Sequence, residues 1–230
     1  ICLPVHLSIP RHRQAAKEDA EPTTGNDASS AGLVAPADRR LAMILMGTLF
    51  TGTGFLMSAV NSSIMVLLSG MGIDAHAATW AIALIGPSQV IARLLDLWFS
   101  SRLPATGIAI ISTAGMVLGA LVLLLVAYAP LAWLVGLFAV VYGVGQGLSS
   151  IVKGVLPLNF FGHEEYGRIT GTLSGYRLAF SALAPLAVIT LDDLGGPALA
   201  LALLVIVGAL SMLSVFMLAS QDPSRDRPVP

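Results

Sequence analysis

Six apolar stretches follow one another between Leu41 and Ala219, each as long as a bilayer is thick. They cover roughly 41–69, 78–99, 105–127, 131–157, 167–190 and 196–219. A helix that crosses the hydrocarbon core needs about 20 predominantly apolar residues, and each stretch meets that length. Turn-forming residues separate them: Gly70-Met-Gly-Ile-Asp74, Arg102-Leu-Pro104, Pro130, Gly162-His-Glu-Glu165 and Asp192-Asp-Leu-Gly-Gly-Pro197. A soluble domain carries about a quarter charged residues; here 11% are charged, 56% are hydrophobic and the mean hydropathy is +0.84. A surface of that kind faces lipid. The backbone of a lipid-facing span must satisfy its own hydrogen bonds, so the expected fold is an all-α integral membrane protein with six transmembrane helices over 41–219. The 23 glycines suit close helix packing.

The flanks differ. Residues 1–9 are apolar but too short to span, and basic Arg11 and Arg13 follow them, the reverse of a signal peptide. They read as the end of a preceding transmembrane helix; the alternative is an unusual start to a complete protein. Residues 10–40 are polar, lack apolar periodicity and read as a cytoplasmic linker ending in Arg39-Arg40. Residues 220–230 form a polar cytoplasmic tail. With the linker on the cytoplasmic side, Arg11, Arg13, Lys17, Arg39, Arg40, Arg102, Arg168, Arg225 and Arg227 all fall in cytoplasmic segments, as the enrichment of Lys and Arg on that side requires. The loops near 70–77, 128–130 and 191–196 contain neither. A net charge of −1 gives no reason to expect nucleic acid, and the single cysteine, Cys2, excludes an internal disulfide.

Only Arg93, Lys153 and Arg177 place cations within spans. Intramembrane charge is costly and normally faces a protein interior or a wetted cavity. At about 100° per residue, Gly86, Gln89, Arg93 and Asp96 share one face of the second span, where Arg93 and Asp96 can form a structural ion pair. Gly143, Gln146, Gly147, Ser150, Lys153, Gly154 and Pro157 share a face of the fourth. Thr170, Ser174, Arg177 and Ser181 make a stripe on the fifth, with Gly167, Gly171 and Gly175 beside it as an expected packing stripe. The first span contributes Thr51, Ser58, Asn61 and Ser62. The third and sixth offer little besides Ser112, Thr113, Ser211 and Ser214. Four helices therefore carry polar faces and two read as lipid-facing supports. Asn61, Gln89, Arg93, Gln146, Lys153 and Arg177 are the candidate pathway residues. Each also has a structural reading: Lys153 can snorkel to the interface and Asn61 can bond a neighbouring helix. Arg177, ten residues and about 15 Å into its span, is the hardest to assign to structure alone.

This layout resembles the C-terminal six-helix half of the major facilitator superfamily, helices seven to twelve. Gly86-Pro-Ser-Gln-Val-Ile-Ala-Arg93 with Asp96 and Arg102 is similar to the helix-eight segment and its basic loop. Gly143-Val-Gly-Gln-Gly147 is similar to the glycine face of helix ten. Pro157-Leu-Asn-Phe-Phe-Gly162, Tyr166-Gly-Arg-Ile-Thr-Gly171 and Pro185 resemble the connection from helix ten into eleven. The eight-nine loop departs from the family signature in lacking the Gly-rich Asp-Arg run. The resemblance implies two inverted three-helix repeats, a solute site near the midplane facing a further six-helix half, and alternating access. It implies secondary active transport of a small solute, with the lipid bilayer as surroundings and the bacterial inner (plasma) membrane as location, both ends cytoplasmic. Three cations against the single intramembrane acid Asp96 lean toward an organic anion.

Other classes fare less well. His6, His12, His76 and His163 all lie outside the span centres, which removes an intramembrane Ser–His protease, and no HExxH or Cys/His cluster suggests a metal or other cofactor. The expectation is therefore not an enzyme. A stand-alone six-helix channel or a non-transporting accessory protein is the competing reading. The orientation has a direct check: cysteines placed at Asp74 and Asp193 are expected to react with an impermeant thiol reagent from outside the cell, whereas protection at both with labelling at Ser29 would reverse the topology.

Overall fold

The computed structural model describes residues 38–99, 103–163 and 165–222. Segments 1–9 and most of the linker and tail, with Arg102, lie outside the described residues. The described chain forms five helices: α1 (Arg39–Gly70), α2 (Ala75–Phe99), α3 (Ala105–Tyr128), α4 (Ala132–Phe161) and α5 (Tyr166–Ala219). All five are long and apolar enough to cross a membrane.

The helix boundaries have local causes. At α2, the Asp74 carboxylate accepts from the backbone N–H groups of His76 and Ala77 at 3.0 and 3.4 Å, which satisfies donors that have no partner in a first turn. Gly72 and Gly162 take positive φ, 75° and 72°, and end the runs before them. Two boundaries differ from the sequence reading. α4 continues through Pro157 to Phe161, past the expected limit of 157. α1 begins at Arg39, so the last two residues assigned to the linker are helical.

The fifth helix is the largest difference. A straight helix of its 54 residues would run about 80 Å, well over twice the hydrocarbon thickness of about 30 Å. It breaks at Gly195 (φ −151°, ψ 15°) and Gly196 (φ 76°, ψ 178°). Residues 191–194, expected as a loop, remain helical in the first arm. The break waits for Gly196, whose φ disfavours any residue with a Cβ, and Pro197 opens the second arm, where its missing N–H costs nothing.

Contacts fix which helix ends lie together. The Arg39 guanidinium pairs with Glu165 and sits 5.7 Å over the Phe161 ring. Thr106 donates its hydroxyl proton to the Asp222 carboxylate. The start of α1, the start of α3, the α4–α5 turn and the chain just after α5 therefore gather at one end. At the other, Gly70 meets Pro197. Exposed aromatics sit near both ends, Trp98 toward the first and Trp80, Tyr128 and Trp133 toward the second, as at the two interfaces of a membrane. Ile111, Leu118, Leu125, Ile206, Leu210 and Leu213 are exposed on α3 and the second arm of α5, while Ser112, Thr113, Ser211 and Ser214 of the same helices are buried.

Two helices serve as hubs. α1 packs on both arms of α5, and α4 packs on α2 and α3. In each, alternating glycines allow two neighbours close. A Cβ at Gly52 would lie 2.0 Å from Ser211 Oγ, and one at Gly54 would meet Arg177 and Ser181. A Cβ at Gly145 would lie 2.6 Å from the backbone of Ser112 and Met116, and one at Gly147 would lie 2.7 Å from Gln89 O. Ser112 also donates to Gly145 O at 2.8 Å, and Tyr142 of α4 donates to Leu56 O of α1 at 3.2 Å. The stripe Gly167, Gly171 and Gly175 behaves differently from expectation: a Cβ at any of the three would meet nothing within 4 Å, because the stripe points away from α1. Gly145→Val should therefore lower thermal stability in detergent by about 1–3 kcal/mol, read as a fall in the unfolding midpoint. Gly136→Val, at a site with open space around its Cα, should leave the midpoint nearly unchanged; equal effects would show that backbone approach is not what Gly145 serves.

Candidate functional site

A polar patch where α1, α4 and the first arm of α5 meet is the candidate site. The path to it starts at Gly54. With no side chain there, the Arg177 stem lies flat against α1, its Cγ 2.5 Å from where a Cβ would stand. The guanidinium then reaches Met57, one turn along α1, with Nη2 4.0 Å from Sδ. Lys153 of α4 reaches the same sulfur from the other side, its Nζ at 3.8 Å. Both Arg177 and Arg93 lie within electrostatic reach of Lys153. Lys153 and Arg177 thus converge on Met57.

Their partners are poor. A thioether is a weak acceptor. Among the described residues the ion pairs are Arg39–Glu165 and Arg168–Glu165, so none of Arg93, Lys153 and Arg177 has a carboxylate within 4 Å. Arg177 Nε, Thr170 Oγ1 and Ser181 Oγ are buried without a hydrogen-bond partner. Ser58 ties the two helices beside them, donating to Ser181 O at 2.6 Å. A buried unsatisfied polar group costs about 1–3 kcal/mol; three on one stripe leave hydrogen-bonding capacity there that the protein itself does not fill.

The other candidates fall around this centre. Gln146 is buried and accepts at Oε1 from Gln89 Nε2 at 3.1 Å, which fastens α2 to α4 one to two turns from Lys153. Asn61 is exposed one turn beyond Met57 on α1. Arg93 is exposed and Asp96 half-buried on α2. The structural ion pair expected between these two does not form within 4 Å, although their i,i+3 spacing permits it. Lys153 likewise does not snorkel outward; it ends on Met57. Sequence reasoning missed Met57, because a methionine in an apolar span reads as core, and it missed Tyr142, whose hydroxyl is hidden among large apolar residues.

Chemically the arrangement offers fixed positive charge, an amide pair and unfilled hydrogen-bonding capacity, about 9–17 Å along α2, α4 and α5 from their ends on the Arg39 side and about 27 Å along α1 at Met57. Among the described residues no group of three metal-ligating side chains occurs. No family model matches the chain, and neither does any curated protein or solved structure.

Cations held for a ligand cost stability when the ligand is missing. Lys153→Met is thus expected to leave the unfolding midpoint unchanged or raise it by a few degrees, because it relieves repulsion from Arg177 and Arg93. A drop comparable to that of Gly145→Val would mean that Lys153 holds the fold together.

Proposed function

We propose that the chain is one six-helix half of a secondary transporter of the major facilitator type, moving a small organic anion by alternating access. In this reading the two arms of α5 are separate passes, which makes six spans with both ends cytoplasmic in a bacterial inner membrane. The observation that carries it is the convergence of Lys153 and Arg177 on Met57, with the unpartnered Thr170 and Ser181 on the Arg177 stripe. A small carboxylate entering there would supply the anionic acceptor that the cations lack, and Arg177 would bind it through two parallel N–H groups.

Two further features support the reading. α1 and α4 play equivalent parts, each packing closely spaced glycines against two neighbours, as expected if 39–128 and 132–219 are inverted repeats. The exposed stripe Gly167, Gly171 and Gly175 adjoins the polar face and is a suitable surface for a helix of another six-helix half.

In a transporter containing both halves, Arg177→Lys keeps the charge and loses the planar fork. It should cut solute transport about tenfold or more, the loss of one charged hydrogen bond at roughly 1.5–3 kcal/mol, while membrane insertion stays intact. Near-normal transport by Arg177→Ala would remove the basis for an anionic solute.

A further inference from the structure

A second opening lies on the opposite flank of the α1–α5 contact from the cations. It is a groove of about 600 Å³ whose floor is α1 and whose walls are the two arms of α5. Thr48 and Thr51 line the floor, Tyr176 and Phe180 one wall, and Leu210 the other. Its volume falls within the range of about 300–1,000 Å³ seen for small-molecule sites. Tyr176, Phe180 and Leu210 are more than half exposed, so the groove opens to the surroundings of the bundle and not to the polar patch. Along α1 it runs from Met43 to Gly52, about 13 Å at 1.5 Å per residue, close to the depth of one leaflet's hydrocarbon, about 15 Å.

Charge stands at the mouth. Arg40 is exposed and precedes Ile44 of the groove by one helical turn. Arg168 precedes Thr172 by one turn, its side chain 76% exposed. The described carboxylates at this end include Asp38, Glu165 and Asp222; Glu165 is held by Arg39 and Arg168, Asp222 accepts from Thr106, and among the described residues Arg40 has no ion-pair partner.

We propose that this groove is a binding site for an anionic phospholipid, with an acyl chain between the arms of α5 and the phosphate at Arg40 and Arg168. The pairing follows from complementarity: an apolar slot one leaflet deep, ending at cations on the side where headgroups lie. It is independent of what the polar patch transports.

The test is native mass spectrometry of the chain released from bilayers of phosphatidylcholine containing a minor fraction of phosphatidylglycerol. The wild type should retain phosphatidylglycerol preferentially. Retention should fall about tenfold in Arg40→Gln/Arg168→Gln, and also in Thr48→Trp, which fills the slot from an exposed position while keeping both charges. Circular dichroism checks that the variants stay folded. Equal retention of the two lipids, or loss in the arginine variant with none in Thr48→Trp, would overturn the site, the latter by showing attraction to a charged surface alone. Displacement of the lipid by excess inorganic phosphate would also overturn it, as a phosphate site without a chain slot.

Discussion

The cost of a cation in hydrocarbon decides how these helices are arranged. Arg93, Lys153 and Arg177 come from three helices, α2, α4 and α5, and each would be expensive facing lipid alone. Lys153 and Arg177 meet at Met57, which collects their expense in one place, where water or an anion can reduce it. The rest of the bundle then follows: faces rich in Leu, Ile, Phe and Trp turn outward, and the serines of α3 and the second arm of α5 turn inward onto neighbouring helices.

Holding like charges near one another needs a scaffold that does not yield, and the glycines supply it. Because lipid is as apolar as a leucine side chain, helices in a membrane gain from close approach and hydrogen bonds more than from burial. Gly145 lets α3 and α4 touch backbone to backbone, and Gly147 does the same for α2 and α4. Ser112 and Gln89 then bond across the helices so joined, while Tyr142 ties α4 to α1 and Ser58 ties α1 to α5. Gly54 has a different part: it leaves room for the Arg177 stem itself, so scaffold and site meet at that residue.

Much of this was legible in the sequence, for identifiable reasons. Apolar length and turn residues marked the helices, since both follow from the thickness of the bilayer. The period of the polar residues put Gln89 and Gln146 on faces that do meet, and it separated Ser174 and Arg177 from the lipid-facing Leu178 and Phe180. Partner choice was not legible. Arg93 and Asp96 have the right spacing to pair, but tertiary placement sets Arg93 near Lys153. Gly167, Gly171 and Gly175 look like a packing stripe, yet periodicity does not say which side of α5 faces α1. The break at Gly195–Gly196 came later than expected because residues 191–194 complete a helical turn before the glycine that can reverse the chain.

Transport at this site requires that the converging cations border a wetted face distinct from the lipid-facing ones. Single cysteines read this directly in membranes, with Cys2 replaced by Ser, through the rate of reaction with a charged methanethiosulfonate. A wetted face requires rapid modification at Asn61, Ser150 and Ser174, on three different helices, and slow modification at Leu118, Leu178 and Leu210. Uniformly slow reaction at the first three, matching the lipid-facing positions, would contradict it.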